Sequence, residues 1–347
     1  MAEAALTNQG EMQVSLADLP LAPAGKIGWP WTESSPTLPA QMPSGQPWPR
    51  ISVVTPSYNQ AAYLEETIRS VLLQGYPNLE YVIIDGGSGD GSREIIQRYA
   101  PWLRYWVSEK DDGQAHAINK GIQHTTGELF NWINSDDLLT PGALAAIATA
   151  FVETKADVIA AGCVDFEEEN EQLVTNANLS LDNLLVWRPG TVYHQPAVWL
   201  RRAHLFDCGG VDAQYHFVFD WEMTTRYLLK YPQVYYLPQV VARFRLHSSS
   251  KTITQAEAFE AERLQLWDRL KRTLPTHNLR KLCDRKLRQL KWLALLSEVE
   301  KSRKPPRIFR VVKLAYLACL DPAIRFTRMT AGALKRHLLN QYGQLAL

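Results

Sequence analysis

Four adjacent polar residues, Asn134-Ser135-Asp136-Asp137, follow the apolar run ELFNWI and supply closely spaced oxygen atoms. Hard divalent cations such as Mg²⁺ and Mn²⁺ prefer such ligands, and they bind through one or two carboxylates while water and phosphate oxygens complete the shell. A cation held here would neutralise a diphosphate leaving group. The alternative is structural, because an acidic pair ahead of a Pro-containing helix start is often a cap.

The segments around this turn alternate between strand and helix patterns. The apolar runs ISVVTPS, YVIIDGG, LRYWVSE and ELFNWINS predict four strands, and the helical spacing in AAYLEETIRSVLLQG, SREIIQ and GQAHAINKGIQHT predicts the helices between them. Such βαβ units form a mainly parallel sheet whose ligands lie beyond the carboxyl ends of the strands. The sequence therefore predicts one cleft, lined by the TPSYN loop and by the acidic loops.

Later segments extend this α/β pattern. Beyond Pro141, GALAAIATAFVET predicts a helix and ADVIAAGCVDF a strand. The segments TVYHQPAVWL and PQVVARFRLH predict two more strands, with DWEMTTRYLLK as a helix between them.

The two ends of the chain differ from this middle part, which we place at residues 50–254. Residues 1–49 read as a Pro-rich extended arm, although Trp29, Trp31 and Trp48 favour packing against a domain over disorder. Residues 255–347 are helical and basic. From Asp268 onward there are 19 Lys and Arg against 5 Asp and Glu, and the rest of the chain has 18 against 31.

The composition narrows the function classes. A net charge of +1 gives no signature of nucleic-acid binding, and four scattered cysteines without a CxxC pair suggest neither zinc nor a disulfide framework. No signal peptide and no run of about 18 apolar residues is evident. We expect a cytoplasmic protein, with peripheral contact to the inner face of an anionic membrane through the basic helices, or with those helices as solvated outer faces of a helical subdomain.

The block from Ile51 to Pro141 resembles the family 2 glycosyltransferases, which have the GT-A fold of nucleotide-diphospho-sugar transferases. The matching pieces are VVTPSYNQAAYLEETIRSVLLQGYPNLEYVIIDGGSGDGS, DGQAHAINKGIQHTTGELFNWINSDD, HQPAVW, FDWEM and RLHSSSKT, in the family's order. The resemblance covers roughly 200 of 347 residues. It implies a Rossmann-like α/β sheet with flanking helices and a WINSDD-type bacterial enzyme.

The resemblance also implies roles in binding the donor. Asp85 would accept a hydrogen bond from a base such as uracil, although it could instead only open the GGSGDG turn. Gly86 departs from the commoner family form, which has a second acid there, and this leaves the base open. Lys120 would contact phosphate, or it is solvated on a helix face. The residues implied to bind the nucleotide sugar are Thr55, Pro56, Tyr58, Asp85, Gly86, Gln114, Asn119, Lys120, Asn134, Ser135, His194 and Gln195.

The metal and the base follow from the same resemblance. Asn134 replaces the first acid of the family's Asp-x-Asp motif, so Asp136 is the implied metal ligand, with Asp137 as a helper and His247 completing the site. Asp220 aligns with the catalytic base that takes the proton of the acceptor hydroxyl, and an N-cap is its structural alternative. Trp199 and Trp221 would stack on sugar rings or belong to the core.

The resulting hypothesis is an inverting transferase of the hexosyltransferase type. It would use Mg²⁺ or Mn²⁺ and move a sugar from a nucleotide-diphosphate donor, with uridine favoured, to a saccharide or lipid-linked acceptor in cell-surface polysaccharide or glycan synthesis. One alternative is a catalytically silent nucleotide-sugar-binding protein on the same fold, which would need neither Asp220 nor Asp136. A nucleotidyltransferase is disfavoured, because TPSYNQ stands where a Gly-rich, Lys-containing loop is expected.

Overall fold

The computed structural model describes residues 5–6, 13–167, 170–186, 193–247, 254–301 and 315–316. The chain divides into two compact units, Met1–Phe259 and Glu260–Leu347. The boundaries predicted from the sequence remain a prediction.

A parallel four-stranded block forms the first half of the larger unit. Its strands are fully or mostly buried apolar runs, as expected for parallel strands covered by helices on both faces. All four strands and the three helices between them fall where the sequence predicted them. The elements, preceded by the short strand β1 (Ala5–Leu6), are β2 (Ile51–Ser57), α1 (Ala61–Leu72), β3 (Leu79–Asp85), α2 (Ser92–Tyr99), β4 (Tyr105–Ser108), α3 (Gln114–Gln123) and β5 (Leu129–Trp132).

The second half of the sheet is mixed. Its elements are β6 (Leu138–Leu139), α4 (Ala143–Thr154), β7 (Val158–Glu167), β8 (Asn170–Thr175), α5 (Leu181–Val186), β9 (Val198–Arg201), α6 (Arg202–Asp207), α7 (Phe219–Lys230) and β10 (Val234–Arg245). The order across the sheet is β1-β4-β3-β2-β5-β9-β7-β10-β6, and β8 pairs with β7. Strand β9 lies antiparallel between β5 and β7. The sheet is therefore less parallel than the sequence suggested.

The segment from residue 13 to residue 49 is tied to the larger unit by buried tryptophans and by one buried arginine. Trp31 and Trp48 are 7% and 5% exposed, and the indole N–H of Trp29 donates to the carbonyl of Leu139 at 2.9 Å. The guanidinium of Arg69, 1% exposed, donates to three main-chain carbonyls of this segment, those of Pro20, Pro30 and Trp31. These hydrogen bonds and a fourth, to the Tyr99 hydroxyl at 3.1 Å, satisfy N–H donors of the guanidinium, so that its burial is tolerated.

The smaller unit contains most of helix α8 (Ala256–Thr273) and helix α9 (His277–Lys301). Both carry buried apolar side chains, among them Trp267 and Leu287, at 1% exposure each. Within the described residues, no helix is long and apolar enough to cross a membrane. The predicted basic segment after Lys301 lies outside the described residues, apart from positions 315–316.

Candidate active site

A cleft of about 670 Å³ opens at the carboxyl ends of β2 and β5, as the sequence predicted. Its volume is in the range of sites that enclose a small organic ligand. Eleven of the residues proposed for donor binding, metal binding or catalysis line it. They are Pro56, Tyr58, Gly86, Gln114, Asn134, Ser135, Asp136, His194, Gln195, Asp220 and His247.

Asp136 and His247 face this cleft as a pair. The Nε2 atom of His247 lies 3.0 Å from the Oδ2 atom of Asp136, and their side chains are 10% and 22% exposed. The ring of Tyr63 packs on the imidazole with centroids 4.9 Å apart, and Arg245 Nε donates to the Asp136 carbonyl at 3.0 Å. These contacts hold the acidic turn against the end of β10.

Asp137 points away from the cleft into the protein. Its carboxylate accepts hydrogen bonds from the backbone N–H of Arg245 at 3.1 Å and from Asn134 Nδ2 at 3.0 Å. Burial, followed by the neighbouring charge of Asp136, raises the pKa of Asp137 well above its usual range. Asn134 in turn accepts from Gln114 Nε2 at 2.8 Å. Asp137 and Asn134 thus stabilise the turn through hydrogen bonds. Asp136 is the carboxylate of this turn that lines the cleft.

The cleft offers a cation one carboxylate and one imidazole. Asp136 and His247 supply an oxygen and a nitrogen atom within 3.0 Å of each other, which fits a divalent cation that draws its remaining ligands from water and phosphate oxygens. Across the described parts of the chain, no group of three or more His, Cys, Asp and Glu side chains could hold a metal by itself. A cation at this position would take its remaining ligands from water or from a bound ligand.

Asp220 lies in the first turn of α7 and lines the same cleft. The N-cap position belongs to Val218, so Asp220 is not the N-cap that its position in the sequence also allowed. Its Oδ1 accepts the backbone N–H of Trp221 at 2.8 Å. Burial, and then the charge of Asp220, raises the pKa of Tyr193, another residue of the cleft. The positive end of the helix dipole favours the ionised form of the Asp220 carboxylate.

Asp85 ends β3 as expected, but its carboxylate is fully buried. Its Oδ2 accepts from Ser108 Oγ at 2.7 Å, from the backbone N–H of Ser88 at 2.9 Å and from that of Gly87 at 3.2 Å. Its Oδ1 accepts from Ser88 Oγ at 2.6 Å. The carboxylate therefore holds the Gly-rich loop in place and does not line the cleft.

Three further residues from the sequence proposal stand outside the cleft lining. Thr55 is fully buried, with its hydroxyl 2.9 Å from that of Tyr81. Asn119 is bonded at both ends of its amide to the main chain of Val211, at 2.7 and 2.9 Å. Lys120 forms an ion pair with Glu109. None of these three side chains lines the cleft.

The carboxylate of Asp111, from another loop, lies directly beside Gly86. A Cβ atom at position 86 would lie 3.2 Å from both carboxylate oxygens of Asp111 and 3.2 Å from Cδ2 of Tyr58. Burial, opposed in part by a hydrogen bond from Gly113, raises the pKa of Asp111, and the charges of Asp85 and Asp112 add to the shift. Asp111 therefore places a carboxylate on the cleft surface, next to the position where the commoner family form has its second acid.

His194 and Gln195 lie directly before β9, in the second half of the sheet, and both line the cleft. The buried amide of Asn176 fixes the main chain of His194, accepting from its N–H at 2.9 Å and donating to its carbonyl at 3.1 Å. Of the two tryptophans proposed for stacking, Trp199 is fully buried in the core and Trp221 lines the cleft.

Sequence reasoning missed an aromatic wall and an arginine. The additional cleft residues include Tyr193, His216, Phe217, Phe219, Phe244, Arg245 and Phe259. Arg245 pairs with Glu66 at 2.9 Å, and its guanidinium lies 4.9 Å from the ring centre of Tyr63. The signal for the arginine was its place two residues before His247, and the signal for the wall was the run FVF directly before Asp220.

The architecture is that of the GT-A glycosyltransferases, an α/β sheet flanked by helices with the cleft at its carboxyl edge. It aligns with Staphylococcus aureus TarS residues 1–349 in complex with UDP-GlcNAc, at a TM-score of 0.56 and 16% identity, over 84% of this chain and 87% of that one. It also aligns with the mannosyltransferase PcManGT of Pyrobaculum calidifontis, in complex with GDP-Man and Mn²⁺, at a TM-score of 0.53 and 20% identity, over 85% and 88% of the two chains. At these identities the likeness shows the fold.

The sequence comparisons point to one family. Residues 52–211 match the model of glycosyl transferase family 2. An uncharacterized glycosyltransferase of Rickettsia typhi is 26% identical over 229 residues, 61% of this chain and 70% of that protein. Another, of Mycobacterium tuberculosis, is 36% identical over 111 residues, 32% of this chain and only 42% of that protein. The chain thus contains a segment similar to glycosyl transferase family 2, and the proteins it resembles are named glycosyltransferases.

Proposed function

We propose that this chain is an inverting glycosyltransferase that moves one sugar from a uridine-diphosphate donor to a hydroxyl of a saccharide or lipid-linked acceptor. The observation that carries the proposal is that Asp136, just before β6, His247, just after β10, and Asp220, at the start of α7, line the same cleft. A silent binding protein would need no acid at position 220. A Bacillus subtilis relative named for teichuronic acid biosynthesis, 39% identical over 92 residues, supports surface polysaccharide or glycan synthesis as the setting.

The donor is proposed to lie with its nucleoside beside Pro56, Tyr58 and Gly86 and its diphosphate beside the acidic turn. The ring of Tyr58 is 63% exposed, which leaves it available to a base. A divalent cation held by Asp136 and His247 would supply positive charge to the departing diphosphate.

The chemical step is assigned to Asp220. Its carboxylate takes the proton of the acceptor hydroxyl while that oxygen forms a bond to the anomeric carbon. The bond from the anomeric carbon to the diphosphate oxygen breaks on the opposite face, and its electron pair leaves with the nucleoside diphosphate. Attack from the face opposite the leaving group inverts the anomeric configuration.

The test is a donor and metal panel on the purified full-length chain. UDP-glucose, UDP-galactose, UDP-N-acetylglucosamine and GDP-mannose are each incubated with a mixture of saccharide acceptors and with Mn²⁺, with Mg²⁺ or with EDTA, and released nucleoside diphosphate is measured. We expect metal-dependent release from one uridine donor. NMR of the glycosylated product then reports the anomeric configuration. Equal release in EDTA would contradict the metal assignment, and retained configuration would contradict the single displacement.

A further inference from the structure

One buried amide in the cleft has an acceptor atom that the described protein residues leave unused. Gln195 lines the cleft and is 8% exposed. Its Nε2 donates to Asn131 Oδ1 at 2.6 Å and to the carbonyl of Trp132 at 3.0 Å. Its Oε1 is buried and has no hydrogen-bond partner among the residues that the structure describes. An unsatisfied buried acceptor costs free energy, so a partner from a ligand would be favoured.

The orientation of this amide follows from main-chain groups that cannot turn around. The backbone N–H of Trp132 donates to Asn131 Oδ1 at 2.9 Å, and Asn131 Nδ2 donates to the carbonyl of Pro196 at 2.9 Å. A flipped Asn131 would set its amide N–H groups against the Trp132 N–H and its oxygen against the Pro196 carbonyl. Asn131 therefore presents its oxygen to Gln195.

A flipped Gln195 would likewise set its oxygen against two acceptors, Asn131 Oδ1 and the Trp132 carbonyl. Two fixed acceptors thus force Nε2 to face the sheet and Oε1 to face away from it. The carbonyl oxygen can only accept a hydrogen bond, so its ligand partner has to be an O–H or N–H group. A diphosphate oxygen cannot fill this role.

We propose that Asn131 is a positioning residue that locks Gln195, and that Gln195 Oε1 receives a hydroxyl, or an amide N–H, of the glycosyl part of the donor. Gln195 binds the carbonyl of Trp132, two residues before Asn134 and the acidic turn. This inference rests on the proposed function, because the diphosphate proposed to lie at that turn carries the glycosyl group with it. Gln195 then selects among donors by the hydroxyl or amide group that their sugar places beside its Oε1 atom.

The test compares affinity for a nucleotide sugar with affinity for its nucleoside diphosphate alone. Isothermal titration calorimetry with Mn²⁺ gives the ratio of the Kd for UDP to the Kd for the tightest-binding UDP-sugar of the donor panel. We expect Gln195→Met, which keeps the length but not the acceptor, to lower this ratio about tenfold and to leave the Kd for UDP nearly unchanged. Asn131→Ala should lower the ratio as well, because Gln195 loses one of the two acceptors that fix it.

Gln74→Met is the matched control, since it makes the same change at a buried amide outside the cleft. Gln74 is 1% exposed, and both ends of its amide have protein partners: Nε2 donates to the Ser70 and Thr140 carbonyls, and Oε1 accepts from the Leu144 N–H. This variant should lower Tm and leave the ratio of affinities unchanged.

A series of donor analogues tests the inference on the wild-type chain, so this test does not depend on whether a variant folds. UDP-sugars that each lack one hydroxyl, or lack the acetamido group, are titrated into the wild-type chain, and removal of a single group should lower the ratio about tenfold. That same donor should show no further loss with Gln195→Met. An unchanged ratio in Gln195→Met, or no single group that matters, would overturn the inference. Failure of UDP and of every donor to bind wild-type protein would instead overturn the proposed function.

Discussion

The Nε2 atom of His194 lies 2.7 Å from the Oδ1 atom of Asp165 on β7, and both side chains are largely buried, at 14% and 18% exposure. The ring of His194 also meets Phe244 edge-on, with centroids 5.7 Å apart and an interplanar angle of 89°. The imidazole is therefore held from two sides at the wall of the cleft.

Asp165→Asn should weaken donor binding because it removes the charge beside His194 while it keeps the size of the side chain. We expect KM for the donor to rise about tenfold, because His194 loses the carboxylate charge that lies 2.7 Å from its Nε2 atom, with a smaller change in kcat. Asp157→Asn is the control, as it alters another His–Asp contact, 3.5 Å to His204, that is not part of the cleft. Equal effects of the two substitutions on KM would contradict a specific role for Asp165.

The Asp136–His247 pair predicts a metal affinity that depends on both residues. Asp136→Ala and His247→Ala should each weaken binding of Mn²⁺ in the presence of UDP by at least about tenfold, the lower end of the cost of removing even an outer-shell partner. Electron paramagnetic resonance of free Mn²⁺ measures this directly. Glu153→Ala, at an exposed position on α4, should leave the affinity unchanged. Unaltered Mn²⁺ binding in both cleft variants would place the cation elsewhere.

The sequence predicted the strands and helices of the first half of the sheet well because their patterns are local. The runs ending at Ser57 and Asp85 are apolar and β-branched, and they become buried parallel strands. The direction of β9 was not predictable, since β9 pairs with β5 and β7, and that pairing is decided by contacts distant in sequence.

Side-chain partners in the site were harder to predict than the position of the cleft. Nothing near Asp85 indicates that Ser108, 23 residues later, donates to its carboxylate. Asp136 and Asp137 are adjacent, yet one faces the cleft and the other is buried against the backbone of Arg245. Asn131 lies inside an apolar strand pattern, where only the structure reveals its bond to Gln195.

Gly86→Asp restores the acid of the commoner family form and should be destabilising in this chain. Its Cβ would sit 3.2 Å from both oxygens of Asp111, so two carboxylates would compete for one space. We expect the free energy of unfolding to fall by about 1–3 kcal/mol in chemical denaturation. The double variant Gly86→Asp/Asp111→Gly should recover most of the loss, and Gly86→Ala should lose less than Gly86→Asp. A double variant no more stable than Gly86→Asp would contradict the competition.

The buried carboxylate of Glu80, which is not part of the cleft, should make the free energy of unfolding depend on pH. Burial alone would raise its pKa, but hydrogen bonds from Thr126 and Ser52 and the charge of Arg50 outweigh it and lower the pKa below the ordinary value of 4.5. The folded protein thus favours the ionised form, so the stabilisation is present above about pH 4.5 and is lost as the pH falls through the lowered pKa.

Glu80→Gln should therefore cost about 1–3 kcal/mol of unfolding free energy at pH 7, because Gln brings one acceptor oxygen where Glu brings two. The difference from wild type should shrink below about pH 4.5. Urea denaturation between pH 3 and pH 7 measures both. The exposed substitution Glu153→Gln should show no such trend, and a difference that grows toward low pH would give the wrong sign.

Asp220→Asn separates catalysis from binding, because Asn keeps the shape of Asp but cannot take a proton. We expect kcat to fall by about 10²- to 10⁴-fold, the usual contribution of a general base, while the Kd for the donor changes little. Stopped assays of sugar transfer give kcat, and calorimetry gives Kd. Asp182→Asn, in the first turn of α5 and not a residue of the cleft, is the control for an acid at a helix start. Since Asp220 also lies at the favourable end of a helix dipole, its variant should lower Tm slightly, as the control should. A loss of transfer no larger than that of Asp182→Asn would leave Asp220 with only this structural role.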